Sequence, residues 1–311
     1  LEDDRLAVSI RGSWLEAVLW EVPLLANITE SYYRVVDTEW EADYEAFYER
    51  TLEKGDALNA AGCRFGEFGT RRRRNPSFQE MALKALKQSG ADGSGSPENT
   101  FGGTSNLHFA RQLGIPCLAT MPHEWIMAHS VLESLKWANR KAMEVWLDVF
   151  GDRFAVALTD TYTMELFFLN FDQKFASAFS AVRHDSGNPE AFIDDILRYY
   201  YENGIDPATK TLEFSDSLTV EKIRAIERYA AGRFRTFYGI GTNLTNDVDD
   251  SPYPSIIIKM TSLNERPVVK TTSDVEKVTG VPEALETVWK EVRKIRDVME
   301  NSSNPFTELA D

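Results

Sequence analysis

His123 is one of four histidines in 311 residues, and it falls at a junction. The apolar run Ile115-Pro-Cys-Leu-Ala-Thr120 ends just before it, and the helical pattern Glu124-Trp-Ile-Met-Ala-His129 starts just after it. A short apolar run bounded by turn residues reads as a buried parallel strand. An imidazole between a strand end and a helix start sits where free backbone N–H groups and the helix dipole favour an anion. In a parallel α/β barrel that end of the strands also carries the chemistry. Taken alone, such a histidine needs no more than a neighbour to bond. The case for chemistry therefore rests on what else gathers at the same face.

Polar residues come after the other strand-like runs as well: Arg71, Thr104-Ser105, Asp160, Arg183 with Asp185-Ser186-Gly187, Asp216-Ser217 and Gly241-Thr242. Thr104 and Ser217 are natural helix caps, whereas Arg183 is a poor one. In Gly239-Ile-Gly-Thr242 the glycines allow backbone N–H groups to approach an anion, and Thr242 adds a hydroxyl. Arg71-Arg-Arg-Arg74 is the one dense basic cluster, either a solvated turn or a grip for phosphate or carboxylate. No Walker pattern and no G-x-G-x-x-G is present. Asp160, Asp185 and Asp216 suit Mg²⁺ carried mainly on substrate phosphates, and they do not specify zinc.

The elements that must position these residues alternate between strand-like and helix-like from Cys63 onward. Runs at 63–69, 101–105, 117–120, 154–160, 180–185, 211–216 and 234–240 each lead into helical periodicity or a glycine turn. Seven such repeats argue for a parallel sheet with its connections outside. Before them come a strand at Leu6–Gly12, an apolar helical stretch from Trp14 to Tyr33 interrupted at Pro23, and a polar helix over 39–61. The aromatic stripe of that helix, Trp40, Tyr44, Phe47 and Tyr48, is expected to pack rather than hold a cofactor. Residues 89–98 read as a polar insertion. An antiparallel hairpin, Ile256–Leu263 against Val268–Thr272, and a helix at Ala284–Met299 close the chain. The expected domains are an N-terminal remnant at 1–35, an α/β barrel at 36–254, and a return of 255–311 to a smaller α+β domain.

Thirty-four basic against 49 acidic residues give a net charge of −15, which argues against a broad nucleic-acid surface but allows a local anion site. No run approaches eighteen uninterrupted apolar residues, so no membrane span is expected. Cys63 and Cys117 lack metal-ligand spacing and read as small buried hydrophobes in a reducing compartment; a cytoplasmic protein, with the nucleus as a further location, is expected. Leu1 is not an initiator methionine, and the chain is expected to be a piece of a longer protein.

Several motifs in order carry a resemblance: Glu67-Phe-Gly-Thr-Arg-Arg-Arg73, Gly103-Thr-Ser-Asn106, Thr120-Met-Pro-His-Glu-Trp125, Ala157-Leu-Thr-Asp160, Val182-Arg-His-Asp-Ser-Gly187, Phe214-Ser-Asp216 and Tyr238-Gly-Ile-Gly-Thr-Asn243, continuing into Ile256-Ile-Ile-Lys259. Over nearly the whole chain the sequence resembles the nicotinate phosphoribosyltransferases, type II phosphoribosyltransferases, and Gly241-Thr-Asn-Leu-Thr-Asn-Asp247 looks closest to fungal members. The resemblance implies an irregular parallel α/β barrel. It also implies synthesis of nicotinate mononucleotide from nicotinate and 5-phosphoribosyl 1-pyrophosphate, coupled to ATP hydrolysis with Mg²⁺. By the same resemblance His123 is transiently phosphorylated, Asp160 and Asp185 line the cleft as catalytic residues, and Thr120 and Arg183 bind nicotinate. Arg71, Ser186, Gly187, Gly241 and Thr242 bind the phosphoribosyl pyrophosphate, and a homodimer shares its active sites.

Two departures stand out. The resemblance implies an earlier N-terminal segment whose tyrosine helps enclose nicotinate, which is not part of the sequence from Leu1 onward, and Ser217 stands where many members have asparagine. The alternatives are a quinolinate or nicotinamide phosphoribosyltransferase, or an inactive truncated barrel acting as a partner subunit.

Overall fold

The computed structural model describes residues 6–40, 43–90, 99–248, 251, 253–272 and 278–301. In chain order the elements are α1 (Trp14–Ala17), α2 (Glu21–Val35), α3 (Tyr44–Ala60), β1 (Phe65–Glu67), α4 (Pro76–Gln88), β2 (Phe101–Thr104), α5 (Leu107–Leu113), α6 (His123–Leu132), α7 (Ala138–Phe150) and β3 (Val156–Leu158). They continue through α8 (Met164–Asn170), α9 (Gln173–Ala178), β4 (Ala181–His184), α10 (Pro189–Glu202), β5 (Thr211–Phe214), α11 (Val220–Ala230), β6 (Arg235–Ile240) and α12 (Thr242–Thr245). A two-residue hairpin, β7 (Ser262–Leu263) with β8 (Arg266–Pro267), precedes α13 (Pro282–Asn301). Strands β1 to β6 hydrogen-bond in the order β2-β1-β6-β5-β4-β3, and the described ladders of this sheet are parallel. This is the parallel α/β class that the alternation of segments implies.

Local chemistry sets many of the boundaries. Asn75 accepts from the Phe78 N–H and Pro76 opens α4; Asn188 and Pro189 do the same for α10. Asn106 caps α5, and Gly114 ends it at φ 62°, a left-handed conformation that suits glycine. Thr163 and Asp172 cap α8 and α9.

The contacts divide the chain into two compact units. The first comprises residues 1–118, 217–224 and 238–259. Within it β1 lies between β2 and the end of β6, with Phe65 opposite Phe101 and Tyr238. The aromatic stripe of α3 packs as expected: Phe47 and Tyr44 meet Phe78 of α4 at ring-centroid distances of 4.6 and 4.9 Å, and Trp40 joins them. The second unit comprises 119–216, 225–237 and 260–311, with β4 between β3 and β5. Its core is aromatic: Phe167, Phe171, Phe175 and Phe179 are fully buried.

Several expectations are corrected. Residues 6–12 form no strand; Leu6 and Val8 are exposed, and without a neighbouring edge to bond an extended run has no ladder to join. Pro23 does not interrupt a helix. It lies in the first turn of α2, where its missing N–H costs nothing, and the break falls in the 3₁₀ turn Val18–Trp20. The strand at 117–120 shrinks to one bridge, Thr104 with Cys117, and Cys117 is exposed rather than buried. The C-terminal hairpin keeps its place but pairs only two residues per strand. Helices α7 and α9 have no counterpart among the sequence-based expectations. Residues 91–98, most of the expected insertion, lie outside the described residues. Among the described residues no helix is long and apolar enough to cross a membrane.

Candidate active site

Strands β3, β4 and β5 place Leu158, Arg183 and Glu213 side by side. Because the strands run parallel, the residues just past their C-terminal ends emerge at one edge: Asp160-Thr161, Asp185-Ser186 and Ser215. The first residue of α6, His123, reaches that edge and is buried. Its Nε2 lies 3.0 Å from Asp185 Oδ2 and 3.7 Å from Asp160 Oδ1, and its Nδ1 lies 3.2 Å from Thr161 Oγ1.

Those partners assign the tautomer. An ionised carboxylate only accepts, so Nε2 carries the proton and donates it toward Asp185. Nδ1 then keeps its lone pair on the side of the Thr161 hydroxyl. Burial pushes the imidazole below its ordinary pKa, outweighing the pull of Asp160 and Asp185, so the ring is neutral at pH 7. A neutral imidazole with one nitrogen bonded to a carboxylate and the other holding a lone pair can act as a nucleophile.

Asp185 is the hub. Burial opposes its charge, but the Arg183 guanidinium and the hydrogen bonds from His123 and Ser215 outweigh burial and hold its carboxyl well below the usual range. Arg183 Nη2 lies 3.3 Å from Asp185 Oδ1, Arg183 Nε donates to Ser215 Oγ at 2.8 Å, and Ser215 Oγ donates to Asp185 Oδ1 at 2.6 Å. Burial likewise works against the charge on Arg183, and Asp185, Glu213 and Asp160 together hold its pKa above the ordinary value. The result is a planar cation locked at one edge.

Asp160 sits on the other side of the imidazole. Its Oδ2 accepts from Ser186 Oγ at 2.6 Å, and Lys270 Nζ lies 3.8 Å from the same oxygen. Ser186 also bonds Thr272 through their hydroxyls, and Thr271 N donates to Thr161 O at 3.1 Å. Gly187 comes next at φ 87°. Asp160 Oδ1 and Thr120 Oγ1 are buried without a hydrogen-bond partner among the described residues, which suits groups that meet a polar ligand.

The remaining site candidates belong to the first unit. Arg71 Nη1 pairs with Glu21 Oε1 at 2.9 Å, and Gly241 precedes the single turn that begins at Thr242. The basic run around Arg71 splits up. Arg72 Nε donates to Ile256 O, Arg73 Nη1 to Gln79 Oε1, and Arg74 is fully buried, donating to Ser251 beneath the Tyr33 ring at 3.6 Å. Arg72, Arg73 and Arg74 thus each donate to a protein acceptor. Glu67, fully buried at the end of β1, accepts from Thr104 Oγ1, Gln79 Nε2 and Gly69 N. Burial raises its pKa against those three bonds. This network fixes the Gly69–Arg72 turn. Gly239 is needed for space: a Cβ there would meet the Phe68 ring at 2.6 Å.

Nitrogen or oxygen atoms of His123, Asp160 and Asp185 lie within 4.8 Å of one another. The three do not make a cage for a resident metal. Both Asp185 oxygens are bonded, His123 Nε2 is protonated toward one of them, and Asp160 Oδ1 is the single carboxylate oxygen of the set without a hydrogen bond.

The sequence profile of the nicotinate phosphoribosyltransferase (NAPRTase) family matches residues 63–302. The chain belongs to that family. The nicotinate phosphoribosyltransferase of Methanosarcina mazei is 37% identical over 301 residues, covering 91% of this chain and 72% of that protein. That of Chromohalobacter salexigens is 40% identical over 290 residues, covering 92% and 72%. A probable nicotinate phosphoribosyltransferase of Schizosaccharomyces pombe is 36% identical over 297 residues, so fungal relatives are among the matches. Among solved structures, a putative nicotinate phosphoribosyltransferase of Saccharomyces cerevisiae superposes with a TM-score of 0.85 at 33% identity, covering 90% of this chain and 70% of that one. The Porphyromonas gingivalis nicotinate phosphoribosyltransferase gives 0.82 at 37% identity, covering 89% and 71%. The fold class and family expected from the motifs are thereby borne out.

Sequence reasoning alone misses Thr161, Glu213, Ser215, Lys270 and Thr272 as members of this cluster. Ser215 lies inside the Phe214-Ser-Asp216 motif, and Thr161 lies next to the motif that ends at Asp160. Lys270 and Thr272 come from the far end of the chain, and no local pattern ties them to His123.

Proposed function

We propose that this protein makes nicotinate mononucleotide from nicotinate and 5-phosphoribosyl 1-pyrophosphate, coupled to ATP hydrolysis through a phosphohistidine at His123. The observation that carries this reading is the neutral, buried His123 held between Asp185 and Thr161 at the same edge as the anchored Arg183. Family membership supplies the substrates.

Arg183 receives the nicotinate carboxylate, with the Thr120 hydroxyl as a second contact, so that the ring nitrogen faces the ribose C1. The C1–pyrophosphate bond breaks as the C1–N bond forms, and orientation of the two reactants supplies much of the rate. Arg71, Ser186, Gly187, Gly241 and Thr242 are assigned to the phosphoribosyl pyrophosphate. Mg²⁺ bound to its phosphates would supply charge neutralisation at the departing pyrophosphate.

In the coupling step His123 Nδ1 forms a bond to the γ-phosphorus of ATP while the bond to the β-bridging oxygen breaks and ADP leaves. The ring then bears positive charge, and Asp185 stabilises the Nε2 proton. Lys270, beside Asp160, is the cation placed to offset the phosphoryl charge. Hydrolysis of the phosphohistidine returns the imidazole. The working assembly is a homodimer, and the exposed apolar side chains Leu15, Leu19 and Trp20 in one stretch are in keeping with a covered face.

The test is formation of nicotinate mononucleotide with and without ATP, set beside nicotinamide and quinolinate as competing pyridines. Turnover of nicotinate that ATP stimulates is expected. Preference for another pyridine would overturn the substrate, and indifference to ATP would overturn the coupling.

A further inference from the structure

Glu213 stands on β5 opposite Arg183 on β4, and neither the glycosyl transfer nor the phosphoryl transfer uses it. It is buried, and its Oε1 lies 4.0 Å from Arg183 Nε without a hydrogen-bond partner among the described residues. The donor that faces it, Arg183 Nε, is already given to Ser215 Oγ. Burial pushes the Glu213 carboxyl up to about 7, against the pull of Arg183 and with a further push from Asp185.

The charge balance makes this placement consequential. With a proton on Glu213, the Arg183 cation faces one closely paired carboxylate, Asp185, and their charges cancel. A ligand carboxylate then arrives at a pair of no net charge and finds guanidinium donors. Without that proton, the same cation faces two buried carboxylates, and the ligand brings a third negative charge into a low-dielectric site.

We propose that Glu213 is a positioning residue that gates, through its own proton, the docking of a pyridine carboxylate on Arg183. The inference rests on the reading of Arg183 as the arginine that binds nicotinate. Arg183 and Asp185, from β4 and its end, are the charged groups that act on Glu213. On its own strand segment Lys210 is turned to the Ser177 and Phe179 carbonyls, and on β6 Arg235 bonds the Thr209 carbonyl. His123, Asp160 and Lys270 are further charged or titratable groups of the same cluster. The coupling is reciprocal: an anion bound at Arg183 draws a proton onto Glu213, so binding above neutral pH takes up a proton from the buffer.

The experiment measures KM for nicotinate and kcat on the full chain from pH 6 to 8.5, at saturating phosphoribosyl pyrophosphate and ATP. It compares the wild type, Glu213→Gln and Arg183→Gln. In the wild type KM is expected to climb above about pH 7, approaching tenfold per pH unit. Glu213→Gln, which mimics the protonated carboxyl, is expected to remove that climb and hold KM at its low-pH value. Arg183→Gln is expected to raise KM at every pH.

If Arg183→Gln leaves KM unchanged, the underlying assignment of Arg183 fails. If Arg183→Gln raises KM while Glu213→Gln keeps the wild-type climb, the gate alone is overturned. Calorimetric titration of the wild type with nicotinate, in two buffers of different ionisation enthalpy at pH 7.5, covers the case in which Glu213→Gln does not fold. Net proton uptake that diminishes toward pH 6 supports the gate, and zero uptake at pH 7.5 overturns it.

Discussion

At the scale of single residues, the site is a set of charges that hold one another in place. Asp185 serves His123, Arg183 and Ser215 at once, so its ionisation and the tautomer of His123 are one fact seen from two sides. Replacing His123 by alanine removes the proposed phosphoryl acceptor and leaves Asp185 its bonds to Arg183 and Ser215. ATP-dependent, acid-labile phosphate on the protein is expected to vanish, with a stability cost of about 1–3 kcal/mol for the lost buried hydrogen bonds. Phosphate that persists on His123→Ala in an acid-lability assay would assign the acceptor elsewhere. The clustered residues His123, Asp160, Arg183 and Asp185 are legible in the sequence because each lies at or just past the end of a strand-like run. Glu213 is not, because a carboxylate inside an apolar strand reads as a surface position until its neighbours are known.

At the scale of elements, two loop positions show backbone geometry setting side-chain identity. Ser217 sits at φ 46°, the left-handed region that costs most residues energy and that asparagine tolerates better. Ser217→Asn is expected to stabilise the protein by about 0.5 kcal/mol, read as a higher midpoint in urea with an unchanged slope. An unchanged or lower midpoint would show that the strain is relieved in some other way.

Gly239, inside β6, makes the opposite case. A methyl group there meets the Phe68 ring, so Gly239→Ala is expected to cost about 1–3 kcal/mol by overpacking and to displace the segment around Phe68. A thermal melt equal to wild type would show that the ring moves freely. By sequence pattern the glycine turn suits an anion cradle. At this glycine the structure shows a close-packing requirement.

At the scale of the whole molecule, buried carboxyls tie stability to pH. Glu213 has its pKa raised from 4.5 to about 7 in the folded state. Between those values the native protein keeps a proton that the unfolded chain loses, so this group's contribution to stability falls as pH rises from about 4.5 to 7. The size is on the order of 3 kcal/mol, at about 1.4 kcal/mol per pH unit. Asp185 works the other way: its depressed pKa contributes stability above the ordinary carboxylate range that is lost as pH falls through its folded value. Glu213→Gln is therefore expected to gain melting temperature relative to wild type at pH 8 and to lose that advantage near pH 5. An identical difference at both pH values would place the effect in packing rather than in ionisation.

The sequence by itself determined the parallel α/β alternation, the caps and turns that bound the helices, the strand ends that carry Asp160, Arg183 and Asp185, and the helix start at His123. These are local properties, written in apolar periodicity and in residues whose hydrogen bonds reach only a few positions along the chain. Only the tertiary structure decided that Lys270 and Thr272 join Asp160 and Ser186, that Arg74 is a buried strut, and that Glu213 lies against Arg183. Strand register and long-range packing set these pairings. A carboxylate takes its charge state from the neighbours that folding brings to it.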